Sequence, residues 1–210
     1  MDIAKLQQVL ELHQEPQFRF AQITGPMLRH GMASFLDIKN IPLSLRKTLT
    51  AEVPLLSCVP EKVLVAKDGR AHKALLKMKD GALIETVFMA PKAGEWSACV
   101  SCQVGCAMAC AFCATGDMGF KRNLTPEEIT DQVLFWRQYK LKNNIKGEFT
   151  HIVYMGMGEP FNNWPAVKQS LKHLLDPELF GFGSRGIAVS TSGLVHTIAD
   201  FVKEFPQVNL

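Results

Sequence analysis

"TPEEITDQVLFWRQYKLKNNIKGEFTHIVYMGMGEP", residues 125–160, contains one complete helix–strand–turn unit. Thr125 is placed to cap a helix, Pro126 takes its first position, and Glu128 follows three residues after the cap. The helix is predicted to run to about Lys142, with Ile129, Val133 and Trp136 on one face. "THIVYM" (150–155) reads as a buried strand, and "GMGEP" as the turn leaving its carboxyl end. The same rhythm extends in both directions. A strand is predicted at 96–102 upstream. Downstream come a helix from about Trp164 to Leu175, a strand at 186–191 and a helix at 195–204, and "QVNL" begins another strand. Alternating β and α units imply a parallel sheet with right-handed crossovers, so the fold class is α/β. In such folds chemistry sits at the carboxyl edge of the strands. "GMGEP", "STSG" (190–193) and the loop following the strand at 96–102 all fall there.

The first ninety residues have a different pattern. Residues 4–50 read as short helices, with Leu6, Val9 and Leu10, then Phe18, Phe20 and Ile23, at helical spacing and Pro26 and Pro42 as punctuation. Asp68-Gly69 and Asp80-Gly81, each flanked by apolar runs, predict two hairpin turns joining three short strands. The chain thus divides into a helical region (1–60), a β-hairpin segment (61–93) and an α/β core (94–210).

A chain of 210 residues with 47% hydrophobic content can bury a sizeable core. No apolar run is long enough to span a bilayer, so no membrane partner is expected. The N-terminal "MDIAKLQQVLELHQ" lacks the apolar block of a secretory signal, which points to the cytoplasm. The net charge of +3 permits nucleic-acid binding without arguing for it. Basic residues such as Arg19, Arg29, His30, Lys39, Arg46 and Lys47 are scattered and read as solvated surface.

"CVSCQVGCAMACAFC" (99–113) holds five of the six cysteines. In a reducing compartment, cysteines at this density indicate metal or catalysis. Cys106, Cys110 and Cys113 form a CxxxCxxC frame. A structural zinc site wants four closed ligands, and Cys99, Cys102 or a distant histidine could complete one. A [4Fe-4S] cluster held by three cysteines instead leaves one iron open to a small chelating molecule. Spacing alone leaves both readings standing.

CxxxCxxC with Phe112 before its last cysteine resembles the radical S-adenosylmethionine (SAM) enzymes. The longer string through "CATGDMGFKRNLTPEEI", with "MGMGEP" and "STSG", resembles a narrower group. These are the bacterial dual-specificity methyltransferases that act on C2 of an adenine in 23S rRNA and tRNA. The resemblance implies an incomplete (βα) partial barrel preceded by a small helical and β-hairpin accessory region. It implies that Cys106, Cys110 and Cys113 ligate a [4Fe-4S] cluster, that Gly158, Glu159 and Ser190 contact SAM, and that a low-potential donor such as flavodoxin or ferredoxin supplies the electron. It also implies a methyl group relayed by a cysteine, with Cys99 as the second catalytic cysteine that resolves the RNA adduct through a transient disulfide. Glu85 is implied as the acceptor of the adenine proton, a role helped by low-dielectric surroundings. Lys121 and Arg122, beside the cysteine loop, are RNA-backbone candidates. Cys102 departs from the serine usual in the family, so it either competes with Cys99 or packs inside. Phe135 and Trp136 read as core and His151 as structural.

No cysteine follows Cys113. The methyl-carrying cysteine is therefore expected beyond residue 210, and the isolated chain is expected to be incomplete for catalysis and prone to associate. The alternatives are methylation at C8 of an adenine and a non-catalytic metal-binding RNA module.

Overall fold

Helix α5 (Pro126–Lys142) organises the rest of the molecule. Its capping box forms: Glu128 N–H donates to Thr125 Oγ1 at 3.2 Å, and Thr125 N–H donates to Glu128 Oε2 at 2.9 Å. The computed structural model describes all 210 residues, and in it Ile129, Val133 and Trp136 are fully buried. So is the opposite, polar side of the same helix, which the one-face pattern did not predict. Glu128, Thr130, Asp131 and Gln132 are buried as well, because each finds a partner there.

The helix packs against α6 (Trp164–Leu175). Before it come the N-terminal helices α1 (Ile3–Leu12), α2 (Phe18–Thr24) and α3 (Leu43–Glu52), with a π-helical turn at Gly25–Arg29 whose Leu28 O accepts from Arg137. Asp131 accepts from the Met1 ammonium and, at 2.7 Å, from Ser57 N–H. This ties the chain's first residue to the helix that underlies the site.

Six strands form one sheet in the order β1-β2-β3-β4-β7-β8. Strands β1 (Cys58–Val65), β2 (Ala71–Met78) and β3 (Leu83–Lys92) are antiparallel and joined by the two Asp-Gly turns. Gly69 (φ +68°) and Gly81 (φ +84°) supply the left-handed backbone those turns need. Strand β3 pairs antiparallel with β4 (Glu95–Cys99), and from there the sheet turns parallel through β7 (Glu148–Tyr154) to β8 (Ile187–Val189). Helices α5, α6 and α7 (Val195–Glu204) are the crossovers, and Asn209, in "QVNL", bridges Ala188. The α/β reading is correct. Its strands are shorter than predicted: β4 ends at Cys99 and β8 spans three residues.

The sequence reading missed a second sheet of two short strands, β5 (Gln103–Gly105) and β6 (Phe120–Asn123), with the small helix α4 (Ala114–Asp117) between them. Too short to carry a period, these strands close the cysteine loop at its base.

The sheet is two-faced. Thr86, Phe88, Ala98, Ile152, Tyr154, Ile187 and Val189 are buried under the helices. Phe88 stacks between Trp96 (4.5 Å) and Trp136 (5.3 Å), and Trp136 Nε1–H donates to Thr86 Oγ1 at 3.0 Å. On the other face Glu85, His151 and Met155 are exposed, while Cys99 in the central strand is buried. Phe88→Ala is expected to lower the unfolding free energy by about 3–5 kcal/mol, and Thr125→Ala by about 1 kcal/mol. Urea denaturation measures both, and equal costs would contradict this account of the core.

Candidate active site

The turn after β7 lies tightly against the segment after β4, its two glycines presenting no side chain to it. A Cβ on Gly156 would meet Val100 O and Ser101 Oγ at 2.7 Å; one on Gly158 would meet Gln103 Cβ at 2.5 Å. Gly158 also has φ +99°, which L side chains rarely adopt. Reciprocal bonds lock the approach. Cys102 N–H donates to Met157 O at 2.9 Å, Met157 N–H to Ser101 Oγ at 2.8 Å, and Glu159 N–H to Gln103 Oε1 at 2.8 Å. From below, Gln132 accepts from Ser101 N–H and donates to Ser101 O, both at 2.8 Å. Asn163 Nδ2–H donates to Cys102 O and Leu124 O, each at 2.8 Å. Ser101, Gln103, Gln132 and Asn163 were missed in the sequence because they act only through contacts between distant segments.

Glu159 is buried, and its carboxylate is committed. It accepts from Thr191 Oγ1 (2.7 Å), Ser192 N–H and Oγ (both 2.8 Å) and Phe161 N–H (2.9 Å). The side chain thus fastens the "STSG" loop to the "GMGEP" turn, and Ser190 is set beside it at the cavity wall.

The cysteine loop leaves β5 and returns to β6. Cys106 N–H donates to Gly119 O at 3.2 Å, and the two backbones are so close that a Cβ on Gly105 would lie 1.8 Å from that oxygen. Gly105, at φ +75° and without a Cβ, makes this closure possible. Beyond it the loop reaches across to the turn. Cys106, Cys110, Cys113, Gly156, Gly158, Glu159 and Ser190 line one cavity of about 300 Å3. The three thiols line it but do not converge there as a metal-ligand group.

Neither Cys99 nor Cys102 lines that cavity, and no histidine does. The cavity's one carboxylate, Glu159, is taken up by Thr191, Ser192 and Phe161, so the fourth ligand that a structural zinc ion would require is not at hand. Three thiols on the same cavity as a glycine turn have the donor chemistry of a cluster with one open iron.

The cysteines differ in chemistry. Backbone N–H groups of Gly116 and Thr115 at the start of α4 hold the Cys113 thiol below its ordinary range. Burial pushes Cys99 up, and Cys58 up to about 12. Burial also raises Cys102, reinforced by the nearby Glu159 charge; its thiol points at Met157 O. Cys102 is therefore a packing residue. All six cysteines are free, so nothing here supports the transient disulfide implied for Cys99, whose partner is expected beyond residue 210.

Cys99 and Glu85 lie on the same face of the sheet, on the paired strands β3 and β4, where Val87 stands opposite Cys99. Glu85 is not in low-dielectric surroundings: it is half exposed and pairs with Lys73 Nζ at 2.8 Å. Arg122 is not a free RNA contact either. It pairs with Asp80 at 2.6 Å and Glu128 at 2.7 Å, which raises its already high pKa. Lys121 is exposed. His151 is exposed on β7 and hydrogen-bonds Thr150 Oγ1 at 3.0 Å.

The model of the radical SAM superfamily matches residues 100–210. Over 208 residues the chain is 39% identical to the ribosomal RNA large subunit methyltransferase Cfr of Clostridium botulinum (strain Okra / Type B1), covering 98% of this chain and 58% of that protein. It is 38% identical over 206 residues to the probable dual-specificity RNA methyltransferase RlmN of Listeria monocytogenes serotype 4a, covering 98% and 56%. A crystal structure of a radical SAM methyltransferase from Sphaerobacter thermophilus superposes with a TM-score of 0.89 at 38% identity, covering 99% of this chain and 60% of that one. The chain thus spans somewhat more than half the length of the curated relatives it matches.

Native-state alkylation followed by peptide mass spectrometry should label Cys113 first and at lower pH than Cys99, because the thiolate is the reacting form. Cys58 and Cys102 should be protected until the chain unfolds. Labelling of Cys102 that keeps pace with Cys113 would contradict the assignment.

Proposed function

We propose, since the chain belongs to the radical SAM superfamily, that it is the cluster-bearing part of an RNA methyltransferase acting on C2 of an adenine in 23S rRNA and tRNA. One observation carries this reading: the cysteine triad, the glycine turn and the Ser190 loop, from three separate strand ends, meet on a single cavity. When bound, a [4Fe-4S] cluster would supply the electron that splits SAM, a molecule able to chelate iron through its amino and carboxylate groups.

The chain's own residues do the rest. Cys106, Cys110 and Cys113 would hold the metal, and backbone N–H groups shift Cys113 toward the thiolate that a ligand must be. Gly156 and Gly158 bring backbone to the wall of the cavity, where carbonyls can accept from an ammonium group. Glu159 positions that wall rather than offering a free carboxylate. Ser190 presents a hydroxyl for a carboxylate or ribose oxygen. Cys99 and Glu85 share the sheet face on which a target base would lie. Cys99 serves as the reacting thiol, and Glu85, oriented by Lys73, accepts the proton. The helical region 1–60 would contact RNA, and a flavodoxin- or ferredoxin-type donor would supply the electron. No helix is long and apolar enough to cross a membrane.

Methylation at C8 is the second reading, favoured by the similarity to Cfr. Nucleoside mass spectrometry of RNA from cells expressing the whole gene separates 2-methyladenosine from 8-methyladenosine.

Anaerobic reconstitution of the purified chain should yield about four irons per chain and a cluster spectrum that changes with SAM. Cys106→Ala, Cys110→Ala and Cys113→Ala should each abolish it. One tightly bound zinc and no response to SAM would overturn the proposal. Glu159→Gln sets an amide N–H2 against hydrogen-bond donors, and should weaken SAM binding roughly tenfold or more, about 1–3 kcal/mol. Titration calorimetry on the reconstituted protein measures it.

A further inference from the structure

At the end of β7 remote from the cysteine loop, the π-helical turn, the last turns of α5 and the first residues of β7 enclose a cavity of about 280 Å3. Arg29, His30, Arg137 and Lys140 line it, with Glu148 as its one carboxylate and Phe149 among its apolar walls. The seven residues of β7 separate it from the "GMGEP" turn by about 20 Å.

Arg137 distinguishes this cavity from an ordinary basic surface. Its guanidinium is largely withdrawn from water and has no carboxylate partner. It donates to the carbonyls of Leu28 and, at 3.0 Å, Phe180. It also lies over the ring of Phe182, at 4.5 Å, and that of Phe180, at 5.4 Å. Burial lowers its pKa to about 10, and repulsion from Arg29 adds to the shift. Arg29, His30, Lys140 and Glu148 form no ion pair. Three cationic side chains from two elements therefore face one carboxylate across a small space. Withdrawing an uncompensated charge from water is costly, and like charges repel across it. An oxyanion between the two guanidiniums relieves both, and the guanidinium fork matches phosphate oxygens. Complementing the negative end of α5 explains Lys140 and Lys142. It does not explain Arg29, which comes from another element and sets its charge beside Arg137.

We propose that this cavity binds one phosphate-type oxyanion between Arg29, Arg137 and Lys140, remote from the cysteine loop. Its chemistry suits a backbone phosphate of RNA or free inorganic phosphate. The site does not depend on the cluster, so it can fail while the radical SAM reading stands, and the reverse.

The test is to titrate inorganic phosphate into the full chain at constant ionic strength against chloride, following the imidazole C–H signal of His30 by NMR. That signal is assigned by its loss in His30→Gln. A saturable shift is expected in the unaltered chain. It should be lost in R29Q/K140Q at unchanged melting temperature; Arg29→Gln alone, at an exposed position, gives the same effect at smaller amplitude. A short RNA that displaces the phosphate, with a salt dependence whose log–log slope falls by about one in R29Q/K140Q, identifies the RNA backbone as the source. An RNA that binds without displacing it identifies free phosphate. A His30 signal that responds to phosphate no more than to chloride, or a response undiminished in R29Q/K140Q, overturns the proposal.

Discussion

The site rests on a close approach of two backbones. The Gly156–Glu159 turn can lie on the Val100–Gln103 segment only because Gly156 and Gly158 carry no Cβ. The contact is held by polar groups rather than by apolar packing, so each group must be satisfied or its desolvation is uncompensated. Ser101 shows how fully this is met. Its hydroxyl accepts from Met157 N–H and donates to Glu85 O, while its amide and carbonyl both meet Gln132. From this clamp the chain leads on to the cysteine loop on one side and to the Glu159-anchored "STSG" loop on the other.

Helix α5 links that clamp to the rest of the protein. Its apolar side builds the core with Phe88 and Trp96, as any amphipathic helix would. Its polar side is spent on three connections. Gln132 supports the clamp, Glu128 pairs with Arg122 beside the cysteine loop, and Asp131 binds the Met1 ammonium. A buried ion pair is poor evidence of net stability, since desolvation opposes it. What these pairs contribute is position: the chain's first residue, the base of the cysteine loop and the site's central segment are all referenced to one helix.

The two faces of the sheet divide the labour. Helices seal the face that carries Phe88, Ile152 and Ile187. On the other face Glu85, Met155 and Ser190 stay exposed. Cys99 is nearly sealed and burial raises its thiol's pKa, whereas backbone N–H groups lower that of Cys113. Two cysteines fourteen residues apart thus differ because of their surroundings and not because of their residue type.

Local patterns were enough to read the α/β alternation, the capped helix from Thr125, the two Asp-Gly turns, and the placing of three motifs at one sheet edge. Each depends on neighbours within a few residues: a 3.6-residue or two-residue period, a cap, or a turn that needs a positive φ. The sequence alone also supplied the CxxxCxxC frame and the glycines, because ligand spacing and the lack of a side chain are written in the chain. Only the tertiary structure decided how charge and exposure are used. It set the Glu159 carboxylate on Thr191 and Ser192, gave Arg122 to Asp80 and Glu128, left Glu85 half in water beside Lys73, and sealed Cys102 away from reaction. Those outcomes turn on which distant groups share a few ångströms, and hydrogen bonding and desolvation depend on that distance rather than on position along the chain.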